Sequence, residues 1–278
     1  MIHIVKYYLL LLFTVSVVYA QESEILFKTG EEYFQQGRFA DAFFSFSKYI
    51  EYNPDSSKGY IARGNAYIFL KKPKDALNDF KKACELNPEN YKAYSGLGTA
   101  YVYLQNGDEA LINYNKALKL NPADVVTMNS IAVIYYGEGK VTEALAYLNK
   151  AIDIDPGNTD SYKNRGSMRL FTGDTAGALS DMNKAVELGP NRVDVYNARG
   201  AVYREMNMFD EAISDFKKAL ELDPFSAEAH CRIGIAYLYK GEFDLAIINM
   251  EKGLNLDPNL KSSVEKYLEE ARNKKNNR

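Results

Sequence analysis

Apolar, small and aromatic residues recur along this chain at spacings of three, four and seven, in paired segments separated by short polar turns. The stretch 91–124 carries the pattern most completely. Tyr94, Leu97, Gly98 and Tyr101 come first, then Ala110, Tyr114 and Ala117. Such spacing describes one face of an amphipathic helix, here twice in succession. Prolines mark the period: Pro54, Pro88, Pro122, Pro156, Pro190, Pro224 and Pro258 stand 34 residues apart, and Pro73 alone falls outside the series. With that proline as position 32, seven repeats begin at Ser23, Ser57, Tyr91, Val125, Thr159, Val193 and Ala227 and run to Leu260 without insertion. Position 15 is Gly37, Gly139, Gly173 or Gly241 in four repeats and Asn207 in a fifth. These residues tolerate the left-handed backbone that ends a helix, and the proline stops the second helix. The pattern predicts two antiparallel helices per repeat.

Small residues at positions 8, 20 and 27 let the helix backbones approach closely, so the pairs are expected to stack into an all-α solenoid. From Ser23 to Leu260 the chain resembles the tetratricopeptide repeat family, with repeats at 23–56, 57–90, 91–124, 125–158, 159–192, 193–226 and 227–260. The resemblance implies a right-handed superhelix. It also implies that positions 2, 5, 9, 12 and 13 of each first helix line a concave groove receiving extended peptides or partner helices. Here that face offers Ile61, Asn65 and Phe69, then Thr99 and Tyr103. Asn129, Val133 and Tyr136 follow, then Lys163, Phe171 and Tyr239. Part of the stripe, position 12 above all, is expected to pack on neighbouring repeats. Two groove specialisations of the family do not fit. Starting from Lys163, a carboxylate clamp would need partners where Ser167, Ala198, Glu228 and Arg232 stand, and an asparagine ladder would need more than Asn164 at position 6.

Departures from the family pattern are local. Repeat 1 has Thr29 at position 7 and Tyr49 at 27, repeat 7 has Gly253 at 27, and repeat 5 has Arg169 at the aromatic position 11. The Arg169 stem is expected to pack while its head reaches solvent or an acid; the alternative is a ligand contact. After Leu260 the register continues for one helix through Val264, Tyr267, Leu268 and Ala271, with Glu265, Lys266, Glu269, Glu270 and Arg272 on the other face. Residues 261–278 therefore read as a capping helix and polar tail. Repeat 1 carries Phe27, Phe34, Phe39, Phe43, Phe44 and Phe46 and no cap, so this end is a candidate contact surface.

Residues 1–20 hold one cation, Lys6, an apolar run from Tyr7 to Tyr19, and Val18-Tyr19-Ala20 before Gln21. This is the layout of a cleaved secretory signal. Thirteen helical residues reach about 20 Å, short of the ~30 Å hydrocarbon core, so a retained membrane anchor is the lesser alternative. The expected location is periplasmic or extracellular, membrane-associated if the segment is kept.

Charge narrows the function. The chain has 34 basic and 37 acidic residues, a net charge of −3, and −4 once Lys6 is removed, which leaves no field for nucleic acid. Chemistry is sparse. His230 sits at core position 4 of repeat 7, and Cys84 and Cys231 fall on different helix types five repeats apart, too far for a disulfide. Asp153 to Asn158 resembles a calcium loop but coincides with the proline turn and lacks the closing glutamate. No catalytic, metal or cofactor site is expected, nor a small-molecule substrate. Arginine at position 7 occurs only in repeats with aspartate at position 23: Arg63 with Asp79, Arg165 with Asp181, and Arg199 with Asp215. Such co-occurrence predicts structural ion pairs within each repeat, the alternative being an arginine row for anions. The expected function is a non-catalytic interaction scaffold or adaptor of the envelope or secreted space, for protein or peptide partners such as envelope or secretion-machinery components. Alternatives are an assembly subunit that self-associates through repeat 1 and, behind it, an accessory subunit of an envelope enzyme complex.

Overall fold

A computed structural model describes Tyr19 and residues 21–277. The export signal expected over residues 1–20 lies outside them, Tyr19 apart. Among the described residues the chain forms fifteen α-helices and one 3-10 turn, Pro258–Leu260, with no strand. The described residues divide into two compact halves, with the boundary between Ile134 and Tyr135.

The first half contains α1 over residues 21–35 and α2 (Phe39–Tyr52), then α3 (Ser57–Phe69) with α4 (Pro73–Leu86), and α5 (Tyr91–Tyr103) with α6 (Gly107–Leu120). Most of α7 (Val125–Gly137) belongs to it as well. The second half contains α8 (Val141–Ile154), α9 (Thr159–Phe171) with α10 (Thr175–Leu188), and α11 (Val193–Glu205) with α12 (Phe209–Leu222). It ends with α13 (Ala227–Lys240), α14 (Phe243–Leu256) and α15 (Lys261–Asn276).

One turn makes every helix pair. Position 15 is left-handed in all seven repeats, at φ between 58° and 84°: Gly37, Lys71, Gln105, Gly139, Gly173, Asn207 and Gly241. The N–H of position 16 reaches the carbonyl of position 11 at 2.8–2.9 Å, and that of position 15 reaches position 12 at 2.9–3.1 Å. Both bonds belong to the Schellman motif, which satisfies carbonyls the ending helix leaves open. Lys71 and Gln105 take this conformation although neither is glycine or asparagine, and each carries a left-handed strain of about 1–2 kcal/mol. Turns between repeats are held differently. Asn87, Asn121, Asp155, Asp223 and Asp257 each accept, through a side-chain oxygen, the N–H two residues on. Asp155 is thereby part of a turn and not of a cation loop.

Packing within a pair depends on a small residue facing a large one. Position 20 is alanine in every repeat, from Ala42 to Ala246, and has no solvent exposure. Position 24 is Phe46, Phe80, Tyr114, Leu148, Met182, Phe216 or Met250, all buried. Opposite Tyr114 stands Gly98, where an added Cβ would come within 2.5 Å of the ring; Gly200 meets Phe216 at the same distance. The departures are compensated locally. Tyr49 fits because Gly59 of the next repeat lacks a Cβ, and Gly253 leaves room for the Cys231 sulfur. At the C-terminal end, Val264, Leu268 and Ala271 of α15 bury against Cys231, Ile235, Leu238 and Met250. Its outer face remains polar, and Arg272 bonds Glu251 at 2.7 Å, tying the cap to α14.

Candidate functional site

The first-helix face is not uniformly open. In the first half, Ile61 joins the core with Ile68, and Asn129 is buried and donates its Nδ2 to the Val125 carbonyl at 3.0 Å. Neither is presented to a partner, which corrects the reading of both as groove residues. The cause is the crowding of first helices, which buries part of this side as well as the pair interior. Thr99 is half-buried; its hydroxyl donates to the Ser95 carbonyl and lies 3.1 Å from the Tyr114 hydroxyl. Asn65 is exposed beside Phe34 and Glu31. Val133 and Tyr103 are open, Tyr103 at 57%.

Position 13 behaves as a class. Phe69 is 55% exposed, yet its ring stacks on Phe39 at 4.3 Å and meets Phe34 edge-on at 5.2 Å. Phe171, 70% exposed, meets Tyr136 edge-on at 5.3 Å. Tyr239 lies nearly parallel to Phe209 at 6.0 Å and edge-on to Tyr267 at 6.5 Å. Phe69 and Phe171 lean back on the preceding repeat, and Tyr239 stands between the preceding repeat and the last helix, each still half in water. Of the six phenylalanines in repeat 1, only Phe44 is exposed; the others are spent on packing such as Phe27–Phe46 and Phe34–Phe39.

The three arginines of position 7 face inward. Arg63 holds Asp79 through two bonds of 2.7 and 2.8 Å, Arg165 holds Asp181 at 2.9 and 2.7 Å, and Arg199 holds Asp215 at 2.7 Å twice. All three aspartates are buried. Tyrosines at positions 4 and 11 flank two of these guanidiniums: Tyr60 and Tyr67 around Arg63, Tyr196 and Tyr203 around Arg199. In repeat 5 the second tyrosine is Arg169, which bonds the same Asp181 at 2.9 Å, so its head reaches an acid. Arg165 and Arg199 also donate to Asn149 and Asn183 of the preceding repeats, at 2.8 and 3.1 Å. Each turned onto a buried aspartate of its own repeat, these arginines do not form a row for anions.

Lys163 is pinned. Its ammonium lies between Asp160 at 3.3 Å and Asp194 at 2.5 Å, and Arg192 bonds both carboxylates at 2.7 Å. Partial burial alone would raise the Asp194 carboxyl, but hydrogen bonds from Arg192 and Lys163 outweigh it and hold the pKa at about 2. Beside this network an open groove of about 490 Å³ runs along repeats 5 to 7, between Lys163, Ser167, Asn197, Glu228 and Arg232. Sequence reasoning missed Asn197. It is only 9% exposed, and its Oδ1 has no hydrogen-bond partner. The available signal was an amide at position 5 of repeat 6, between Tyr196 and Ala198, the same position as Asn129.

Groups able to do covalent chemistry are quiet. Burial pushes the thiols of Cys84 and Cys231 up to about 11, so neither is a thiolate at neutral pH. His230 is buried, and desolvation together with Lys252 holds its pKa below the ordinary value. Among the described residues no group of three or more His, Cys, Asp or Glu is placed to hold a metal ion, and no helix is long and apolar enough to cross a membrane.

Family profiles described as "Tetratricopeptide repeat" match residues 24–56, 57–90, 95–159, 193–226 and 227–260, most of the chain. No curated protein matches it in sequence. Among solved structures it is similar to a chain of the APC/C hetero-tetramer Cut9–Hcn1, with a TM-score of 0.77 at 20% identity over 87% of this chain. That match covers 48% of the other chain, so this protein spans about half its length. A tetratricopeptide repeat protein from Parabacteroides merdae gives 0.64 at 17% identity, covering 91% of this chain and 99% of that one. The pilF protein of Pseudomonas aeruginosa gives 0.63 at 19% identity, covering 73% and 92%. At these identities the likeness is one of fold.

Proposed function

Because the chain belongs to the tetratricopeptide repeat family, whose repeats mediate protein–protein interaction, we propose that it is a non-catalytic scaffold or adaptor of the cell envelope or secreted space, holding peptide segments or helices of a partner protein on its first-helix faces. The observation that carries this reading is the set of half-exposed aromatics at position 13, Phe69, Tyr103, Phe171 and Tyr239. Phe69, Phe171 and Tyr239 are each held by a neighbouring ring and still half wet, which suits a protein interface, since their rotamers are partly ordered before binding. The Cut9–Hcn1 protein is itself part of a hetero-assembly, the kind of role proposed here. Export rests on Lys6 and the apolar run from Tyr7 to Tyr19.

Crosslinking in the native cell followed by mass spectrometry identifies the partner and the face it occupies. Tyr103→Ala and Phe171→Ala, with melting temperatures unchanged, are expected to weaken that partner by about 1–3 kcal/mol each. Crosslinks confined to the second helices would sink the reading. Export is checked separately: cell fractionation and N-terminal sequencing should find a chain starting at Gln21 outside the cytoplasm.

A further inference from the structure

We infer that Asn106, in the turn between α5 and α6, is a site of spontaneous covalent modification: the Gly107 nitrogen displaces its side-chain amide, leaving aspartate or isoaspartate, and the isoaspartate form loosens repeat 3. The chemistry starts from a dipeptide. Asn106-Gly107 is the one asparagine–glycine pair in the sequence. An asparagine side chain is open to attack by the backbone nitrogen of the next residue, and a Cβ on that residue shields the nitrogen. Glycine has no Cβ, and it gives the backbone the freedom that ring closure needs. The nearest rival is Asn129, followed by Ser130, but it is buried in α7 with its Nδ2 held on the Val125 carbonyl.

The fold leaves Asn106 within reach of this reaction. The residue is exposed and follows Gln105, whose φ of 59° is left-handed. It caps α6, its Oδ1 accepting from the Glu109 N–H at 3.3 Å; at the same position of repeat 5, Asp174 accepts from the Gly177 N–H at 2.9 Å. The bond that restrains the Asn106 side chain is thus a long one. The Gly107 N–H lies in the first turn of α6, where no carbonyl of the helix reaches it. When the cap bond opens, the Gly107 nitrogen loses its proton to base and attacks Asn106 Cγ. A new C–N bond closes a succinimide ring, and the side-chain nitrogen leaves as ammonia, taking up the proton that balances the step. Water then opens the ring. Cleavage of the Cγ–N bond gives aspartate. Cleavage at the main-chain carbonyl gives isoaspartate, whose backbone runs through Cβ and is one carbon longer.

The two products act differently on repeat 3. Aspartate keeps the cap, as Asp174 does, and places a negative charge at a helix N-terminus. Isoaspartate displaces the carbonyl that accepts from the Ala110 N–H at 3.1 Å and lengthens the chain beside the Asn106 N–H, which reaches the Tyr101 carbonyl at 2.9 Å. Both bonds hold the α5–α6 turn.

The test is peptide mapping of the full chain by mass spectrometry after storage in mildly acidic and mildly alkaline buffer, with electron-transfer fragmentation to tell isoaspartate from aspartate. Asn106 is expected to convert to both products ahead of every other asparagine, and faster in the alkaline sample. Gly107→Ala should slow the conversion several-fold; an added Cβ there meets only Ile134, at 3.9 Å, so the variant folds. The isoaspartate fraction should unfold at lower urea than Asn106→Asp. Asn106 left intact, conversion led by another asparagine, a rate unmoved by Gly107→Ala, or an isoaspartate fraction as stable as Asn106→Asp would each overturn the inference.

Discussion

Three aspartates, Asp79, Asp181 and Asp215, are buried inside their helix pairs, each held by an arginine. Asp181 is the most committed, accepting from Arg165 twice and from Arg169 once. Removing its charge would leave Arg165 without its counter-ion and Arg169 with only Asp174, 3.6 Å away, so Asp181→Asn should destabilise the chain more than Asp79→Asn. Breaking a buried pair costs about 3–5 kcal/mol, and partial exposure of the arginines places these variants toward the lower end. Urea denaturation of the two variants checks the order. Arg63 lacks the inter-repeat bond that Asn149 and Asn183 give its counterparts, because Ser47 occupies that register position. The Ser47 hydroxyl is buried without a partner. Ser47→Asn should supply the bond and add about 1 kcal/mol, read in the same denaturation series.

Acid stability has a local origin in the Lys163 network. The folded Asp194 pKa of about 2 lies below the unfolded value near 3.9, so unfolding takes up a proton at intermediate pH. A depressed carboxylate contributes stability in full above the unfolded pKa and loses it as pH falls through the folded one. The contribution of Asp194 should therefore fade between about pH 4 and pH 2. In melting experiments across that window, Asp194→Asn should show a shallower acid limb than wild type. The difference should be small, since the carboxylate is about half exposed and screened by water.

At the scale of elements, the turn at position 15 outranks residue preference. Seven left-handed turns form because two hydrogen bonds and the antiparallel packing of each pair require them, even where Lys71 or Gln105 must adopt that backbone. Lys71→Gly and Gln105→Gly should relieve the strain. The greater freedom of glycine in the unfolded chain offsets part of the gain, leaving about 0.5–1 kcal/mol of stabilisation each. A higher urea midpoint at unchanged slope is the expected outcome. The inverse change, Gly173→Ala, should lower the midpoint.

At the scale of the whole molecule, a repeat array needs its last apolar face covered. Helix α15 covers Cys231, Ile235, Leu238 and Met250. Ending the chain at Leu260 should lower both melting temperature and solubility, and Leu268→Ala should cost about 2–4 kcal/mol as a graded version of the same loss. An unchanged melting temperature in both would remove the capping role.

What was legible in the sequence was local and periodic. The 34-residue proline spacing, the amphipathic faces and the small residues at positions 8 and 20 depend on neighbours within one repeat, and repetition multiplied a weak signal seven times. Arg63–Asp79 and its two counterparts were readable for the same reason, since the two residues change together from repeat to repeat. Which first-helix residues stay free was not readable, because it depends on how closely successive repeats approach. The periodicity places Ile61 and Asn129 on the same side as Tyr103 and Val133, yet packing buries the first two and leaves the others in water. The periodicity places Lys163 on the groove face but cannot show that folding brings Asp194 of the next repeat, and Arg192 at the end of its own, beside it. Asn197 differs from Asn129 in nothing the sequence states. Tertiary packing alone buries the Asn197 amide oxygen without a partner, since hydrogen-bond satisfaction is a property of the assembled surroundings and not of the residue.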